Sequence, residues 1–178
     1  MLTGTGATWT VKEAKANIGM ASPWQVSSVT EYFNDVIEIH IMEGITHVNS
    51  INCNYAEVIT FPSTLKSVGA NAFDSAQIKE LVLPEGLVKI DEGAFAFCEK
   101  LEKIELPSTL EYIGFDAFGL RSAPETRSKN LMEEVKIPAS VEFIGYGAFS
   151  FRWGIEIILP EGMDTTGFEE GWELIEAV

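Results

Sequence analysis

"LPEGLVKIDEGAFAFC", Leu83 to Cys98, is the stretch that decides the fold, because the chain writes it again. "LPSTLEYIGFDAFG" follows at Leu106 to Gly119, and "IPASVEFIGYGAFS" at Ile137 to Ser150. Five of the seven prolines fall in one series, Pro62, Pro84, Pro107, Pro138 and Pro160, spaced by 22, 23, 31 and 22 residues. Met42 holds the same place in an earlier unit. A recurrence at roughly this period marks an architecture built by stacking one small unit on the next.

Aligned on that anchor, the apolar residues fall into columns. One position before it stand Ile41, Phe61, Leu83, Leu106, Ile137 and Leu159, and three before it Ile39, Ile59, Leu81, Ile104, Val135 and Ile157. Three after it come Ile45, Leu65, Leu87, Leu110 and Val141, and six after it Val48, Val68, Ile90, Ile113 and Ile144. Eleven after it come Cys53, Phe73, Phe95, Phe118 and Phe149. In "KIEL", Lys103 to Leu106, apolar and charged residues alternate, the period of a half-buried strand. The proline then closes that strand, since it has no N–H for a ladder.

Seven after the anchor the column reads Asn49, Gly69, Asp91, Gly114 and Gly145, residue types that tolerate positive φ, so a left-handed turn is expected there in every coil. The small residues before the Phe column, Ala72, Ala94, Ala117 and Ala148, with Asn52 in the first unit, let neighbouring coils approach closely. A unit of about 22 residues with one strand has too little core to stand alone, whereas a stack buries each column continuously. The expected fold is therefore a mainly β or α/β-type repeat protein. It is a solenoid with one short strand per coil. Residues 1–35 form an N-terminal capping segment, 36–160 five to six coils with an insertion at 119–130, and 161–178 a C-terminal cap.

The chain has 178 residues, 46% of them hydrophobic, and a formal net charge of −15. Such an excess repels nucleic-acid phosphates and anionic membrane surfaces, so neither is expected as a partner, and the chain reads as a soluble monomer. No apolar run approaches the roughly 18 residues of a membrane span. The start, "MLTGTGATWT", lacks the basic and apolar segments of a secretion signal.

The units "LPEGLVKIDEGAFAFCEKLEKI" and "LPSTLEYIGFDAFG" resemble the BspA-like leucine-rich repeats, a bacterial subtype with an "LP…L..IG..AF..C..L" theme. The resemblance runs from about Val36 to Pro160, and "GTGA" (Gly4 to Ala7) with "PW" (Pro23, Trp24) looks like the module that often precedes such repeats. It implies a right-handed leucine-rich-repeat solenoid with one short parallel strand per coil, and a secreted or surface-displayed protein that attaches to host proteins or other cells, with no catalytic residues in the repeat. Of the family's cysteine after the Phe only Cys98 is kept; Ala56, Ala76, Arg121 and Arg152 stand at that place elsewhere.

Residues able to carry chemistry are few. His40 and His47 occupy different repeat positions without nucleophile or ligand spacing, and read as surface histidines. Cys53 fills a core slot in the Phe column, and Cys98 lies two coils away, beyond disulfide reach. The acidic pairs Asp91 and Glu92, Glu133 and Glu134, and Glu169 and Glu170 lack calcium-loop spacing. Three of the four tryptophans, Trp9, Trp24, Trp153 and Trp172, lie in the end segments, where they read as cap residues. No metal, cofactor or catalytic group is expected.

A protein partner is, and two surfaces offer themselves. The outward strand positions form two ladders on what should be the concave sheet. One holds His40, Thr60, Val82, Glu105, Lys136 and Ile158, the other Glu38, Val58, Glu80, Lys103, Glu134 and Glu156. The insertion adds Arg121, Arg127 and Lys129. The expected function is a non-enzymatic protein-binding module in adhesion at the cell surface. The rival readings are an intracellular scaffold or spacer without a ligand, and a carbohydrate-binding protein.

Overall fold

A computed structural model describes residues 15–18, 37–49, 51, 53–120, 131–152 and 154–169. Among them the chain is a parallel β-solenoid without helices. The residues ahead of each anchor form the first strand of a coil: β2 (Glu38–Ile41), β4 (Val58–Thr60), β6 (Glu80–Val82), β8 (Lys103–Glu105), β10 (Glu134–Lys136) and β12 (Glu156–Ile158). Each coil also carries a second, two-residue strand that the alternation did not announce: β3 (His47–Val48), β5 (Ser67–Val68), β7 (Lys89–Ile90), β9 (Tyr112–Ile113) and β11 (Phe143–Ile144). Ahead of the repeats, β1 (Lys15–Ile18) pairs in parallel with β2, Asn17 against His40.

The columns become the core. Leu65, Leu87, Leu110, Val68, Ile90, Ile113 and Ile144 are all fully buried, as is Cys53 at the head of the Phe column. Below Cys53, the rings of Phe73, Phe95, Phe118 and Phe149 stack face to face at centroid spacings of 5.4, 5.6 and 5.4 Å. Each such ring contributes about 1.5–3 kcal/mol on burial, which no single coil could collect alone. The alanines before them are buried, and their carbonyls accept from the preceding coil's Phe N–H groups, Phe73 to Ala94 and Phe95 to Ala117 each at 2.8 Å. The insertion leaves this stack intact: Phe118 still meets Phe149, and β9 still pairs with β11.

The expected left-handed turn is displaced. Gly69, Gly114 and Gly145 do not have positive φ; Asn71, Gly93, Asp116 and Gly147, two residues later in their coils, do. What demands glycine seven after the anchor is the neighbouring backbone. A Cβ on Gly114 would lie 2.6 Å from the nitrogen of Glu92 and 2.7 Å from the carbonyl carbon of Asp91. On Gly145 it would lie 2.7 Å from the nitrogen of Phe115. The glycine column is a column of close approach.

The two ladders behave differently. The second strands pair without a break, in the order β11-β9-β7-β5-β3. The first strands pair only as β1-β2-β4, β6-β8 and β10-β12, so the coils part between β4 and β6 and again between β8 and β10. At the first parting Phe61 stands where neighbouring coils carry Ile41 and Leu83. Its ring lies edge-on to Phe73 at 5.5 Å and spans the step to Phe95 of the next coil at 6.4 Å. At the second, the chain returns from the insertion at Leu131 immediately before β10. Coils bonded on one side and separated on the other diverge, so the face read as concave is the opening side at these two steps.

A latch beyond the anchor follows the same division. Ser63 donates through its N–H (2.9 Å) and Oγ (3.0 Å) to the Glu43 carboxylate, and Ser108 does the same to Glu85 at 3.2 and 2.9 Å. The next residues, Thr64 and Thr109, accept from the N–H groups of Gly44 and Gly86 and donate to the carbonyls of Ile45 and Leu87. These two latches tie the coils whose first strands pair as β2-β4 and β6-β8.

Gly114→Ala and Gly114→Asn should each lower stability by about 1–3 kcal/mol, since any Cβ overpacks the approach. Gly44→Ala, at φ +94° with open space around it, should cost only about 1 kcal/mol. Denaturant midpoints decide: an unperturbed Gly114→Asn variant would restore the left-handed-turn reading.

Candidate functional site

The outward residues of the first strands lie where the alternation placed them. Val58, Thr60, Glu80, Val82, Lys103, Glu105, Glu134, Lys136 and Glu156 are exposed, and Glu38, His40 and Ile158 half-buried. Arg121, Arg127 and Lys129 lie outside the described residues, as do all four tryptophans.

Charges on this face are largely neutralised within their own strands. Lys103 bonds Glu105 at 2.6 Å, Lys136 pairs with Glu134 at 3.1 Å, and His40 Nε2 sits 3.3 Å from Glu38. Residues two apart on a strand share a face, which permits these pairs. At their exposure such pairs contribute little stability; their effect is to quiet the surface field. Across the ladder, His40 Nδ1 and Thr60 Oγ1 are hydrogen-bonded at 2.8 Å, so His40 is held in a network rather than standing as a plain surface residue. Exposed aliphatics interrupt the charge, with Val58 44% and Val82 59% accessible.

Between β4 and β6 the parted coils enclose a cleft of about 930 Å³, flanked by Val58 and Val82 and floored by Ile59 and Phe61. A second cleft of about 650 Å³ opens between β8 and β10, bordered by Glu102, Glu133 and the two Lys–Glu pairs. The lysines are not all alike. Lys89, Lys103 and Lys136 pair with carboxylates, and Lys66 donates to the Gly86 carbonyl. Lys79 and Lys100, both lining the β4/β6 cleft, have no ion pair among the described residues.

The buried polar groups are structural. Burial pushes the Cys98 thiol up to about 12, and raises Cys53 as well, so neither supplies a thiolate. Cys98 Sγ donates to the Phe73 carbonyl of the preceding coil at 3.4 Å. Arg152, in the same repeat position, is fully buried, and burial pulls it down to about 10. Its Nε donates to the Phe118 carbonyl at 2.6 Å and Nη2 to the Cys98 carbonyl at 3.4 Å. Both side chains therefore serve the Phe-column carbonyl of the coil before. The position noted only as a departure from the family's cysteine is a donor position in these two coils, and its change from Ala56 and Ala76 to Cys98, Arg121 and Arg152 along the chain was the available signal.

Sequence reading also passed over a row on the second ladder. Tyr112 stacks on Phe143 at 4.6 Å, and Lys89 Nζ lies 4.9 Å from the Tyr112 ring centre while pairing with Asp91 at 2.8 Å. Among the described residues there is no group of three or more His, Cys, Asp or Glu able to hold a metal, and no helix long and apolar enough to cross a membrane.

Arg152→Ala should cost about 3–5 kcal/mol, combining a large cavity with abandoned carbonyls, and Arg152→Met clearly less, by equilibrium unfolding. Equal losses would deny the volume term. A second outcome concerns pH. Hydrogen bonds from the Ser63 N–H and hydroxyl hold the Glu43 carboxyl below its ordinary range. A depressed carboxyl stabilises the fold above its unfolded pKa, and that stability is lost as pH falls through the folded value. Glu43→Gln should therefore lower the thermal midpoint at neutral pH, with the gap from the parent closing in acid; a gap independent of pH would refute it.

A family model for the BspA type leucine-rich repeat region matches residues 31–150 in six copies. Among solved structures, a leucine-rich repeat protein from Bacteroides ovatus ATCC 8483 superposes with a TM-score of 0.60 at 23% identity. The match covers 81% of this chain and 42% of that one, so the present chain corresponds to less than half of its length and the likeness speaks for the fold. No curated protein matches. With the repeat columns, the Phe stack and the family model agreeing over most of its length, the chain belongs to the BspA-type leucine-rich repeat family.

Proposed function

We propose that the chain is a non-enzymatic protein-recognition module working at the cell surface or outside the cell, and that its first-strand face is the surface used. The family supports the coarse part, since leucine-rich repeats typically bind proteins. The observation that carries the choice of face is the pair of exposed valines, Val58 and Val82, flanking a cleft on a sheet where Lys103 and Lys136 are paired with Glu105 and Glu134. Exposed apolar groups set among neutralised polar ones favour a protein surface over a small charged ligand. Thr60, Lys103, Glu105, Lys136, Ile158 and His40 form the surrounding rim. Arg121, Arg127 and Lys129 of the insertion are proposed as a second contact. Residues 1–35 and 161–178 are assigned to the ends of the stack.

Immobilised chain should retain one or more defined proteins from a pool of solubilised cell-surface and extracellular-matrix proteins. Each is then titrated in purified form against the parent and a Val58→Asp/Val82→Asp variant of unchanged melting temperature. A loss of affinity of about tenfold or more is expected. Equal binding by the two chains would move the recognition surface elsewhere.

A further inference from the structure

The parting between β4 and β6 leaves two strand edges facing each other without partners, and their hydrogen-bonding groups can be named. In a parallel strand the N–H and C=O of one residue point to the same side, and successive residues alternate. The Val58 N–H donates to Ile37, so Val58 and Thr60 bond toward β2 while Ile59 and Phe61 face β6. The Leu83 N–H donates to Glu105 and the Lys103 N–H to Lys79, so residues 79, 81 and 83 bond toward β8 while Glu80 and Val82 face β4. No backbone bond joins β4 to β6; the Gln77 N–H to the Ala56 carbonyl is the last before the strands begin. The amides of Ile59, Glu80 and Val82 therefore open onto the cleft from both walls.

The cleft gathers its charged groups at one mouth. Its mouth at the beginning of the strands carries Lys79 and Lys100, which lack ion pairs among the described residues. Glu57 and Glu80 line the same cleft, also without ion pairs among the described residues, so the two lysines are matched in number by carboxylates that leave them unbonded. The far mouth is apolar, with Phe61 and Val82.

We propose that this cleft accepts an extended segment of a partner protein as an added strand between β4 and β6, with an acidic side chain of the segment lying against Lys79 and Lys100. Backbone groups on both walls supply the affinity that strand addition needs. Alternate side chains of the guest fall beside Val58 and Val82, and the lysines select orientation. The inserted strand would restore the ladder that is continuous on the other side of the same coils. This inference rests on the protein-recognition reading and specifies how that recognition takes place.

Two measurements test it. In the free chain, hydrogen exchange should find the amides of Ile59, Glu80 and Val82 at least about a hundredfold less protected than those of Leu81 and Leu83. Equal protection would mean that the edges are closed, and would overturn the inference while leaving the recognition reading in place. A displayed library of linear twelve-residue peptides is then selected on the full chain. Selected peptides should carry Asp or Glu at one end of an alternating apolar run and protect those three amides. They should lose about tenfold or more in affinity against a Lys79→Ala/Lys100→Ala chain, with Lys103→Ala unchanged. Peptides that bind without protecting the three amides, indifference to the double substitution, or no selected peptide at all would each overturn it.

Discussion

Parallel pairing holds successive coils about 4.8 Å apart, and everything else in the chain answers to that distance. Rings stacked on a ladder of this rise come to rest at 5.4–5.6 Å, slightly offset, which is how Phe73, Phe95, Phe118 and Phe149 fill the interior. Backbones at that separation leave no room for a Cβ where the chain turns inward, hence Gly69, Gly114 and Gly145. The alanines beside the Phe column obey the same limit. The repeat is thus conserved within the chain by geometry alone: each coil must be the shape of the one it lies on.

Given that constraint on one side, the other side is free to open. The second-strand ladder and the Phe stack keep the coils registered even where the insertion interrupts them. The first-strand side can therefore part twice without unfolding the stack. The latches show where it stays closed. Glu43 with Ser63, and Glu85 with Ser108, bind coils into pairs; among the described residues neither parted step has such a carboxylate–serine pair, although Ser140 Oγ, in the place of Thr64 and Thr109, still donates to the Leu110 carbonyl across the β8/β10 step. The result is a rigid spine with a segmented face, an arrangement in which a site varies while the fold does not.

Much of this was legible in the sequence. The five columns named the core residues and the first strands, because burial on a regular lattice imposes a strict residue type at each position. What escaped reading depends on facts that a column does not carry. Glycine is required both by positive φ and by close approach, and composition alone does not separate the two; the left-handed residues stand two places later, where Asn71 and Asp116 share the role with Gly93 and Gly147. The alternation of Glu–Gly with Ser–Thr after the anchor is present in "MEG", "PST", "PEG" and "PST", yet it has meaning only once adjacent coils are placed side by side. Arg152 illustrates the same limit: a charged residue in a repeat looks like a surface residue until the two carbonyls it serves, 34 and 54 residues back, are seen above it.

The face itself was read as a mixture of charges, and its pairing alters what that mixture does. Lys103 with Glu105, and Lys136 with Glu134, cancel within a single strand, so neither cross-strand charge nor long-range steering distinguishes one coil from the next. The net charge of −15 is a property of the whole chain and acts on solubility and encounter. Local recognition then falls to whatever is not cancelled: the exposed valines, the open strand edges, and the two lysines that have no ion pair among the described residues, with Glu57 and Glu80 beside them. All three occur at the β4/β6 step, where Phe61 replaces an aliphatic residue. There the ring of Phe61 lies against the Phe stack of both coils while their first strands stay unpaired, so the step that differs in its core residue is also the step that differs on its face.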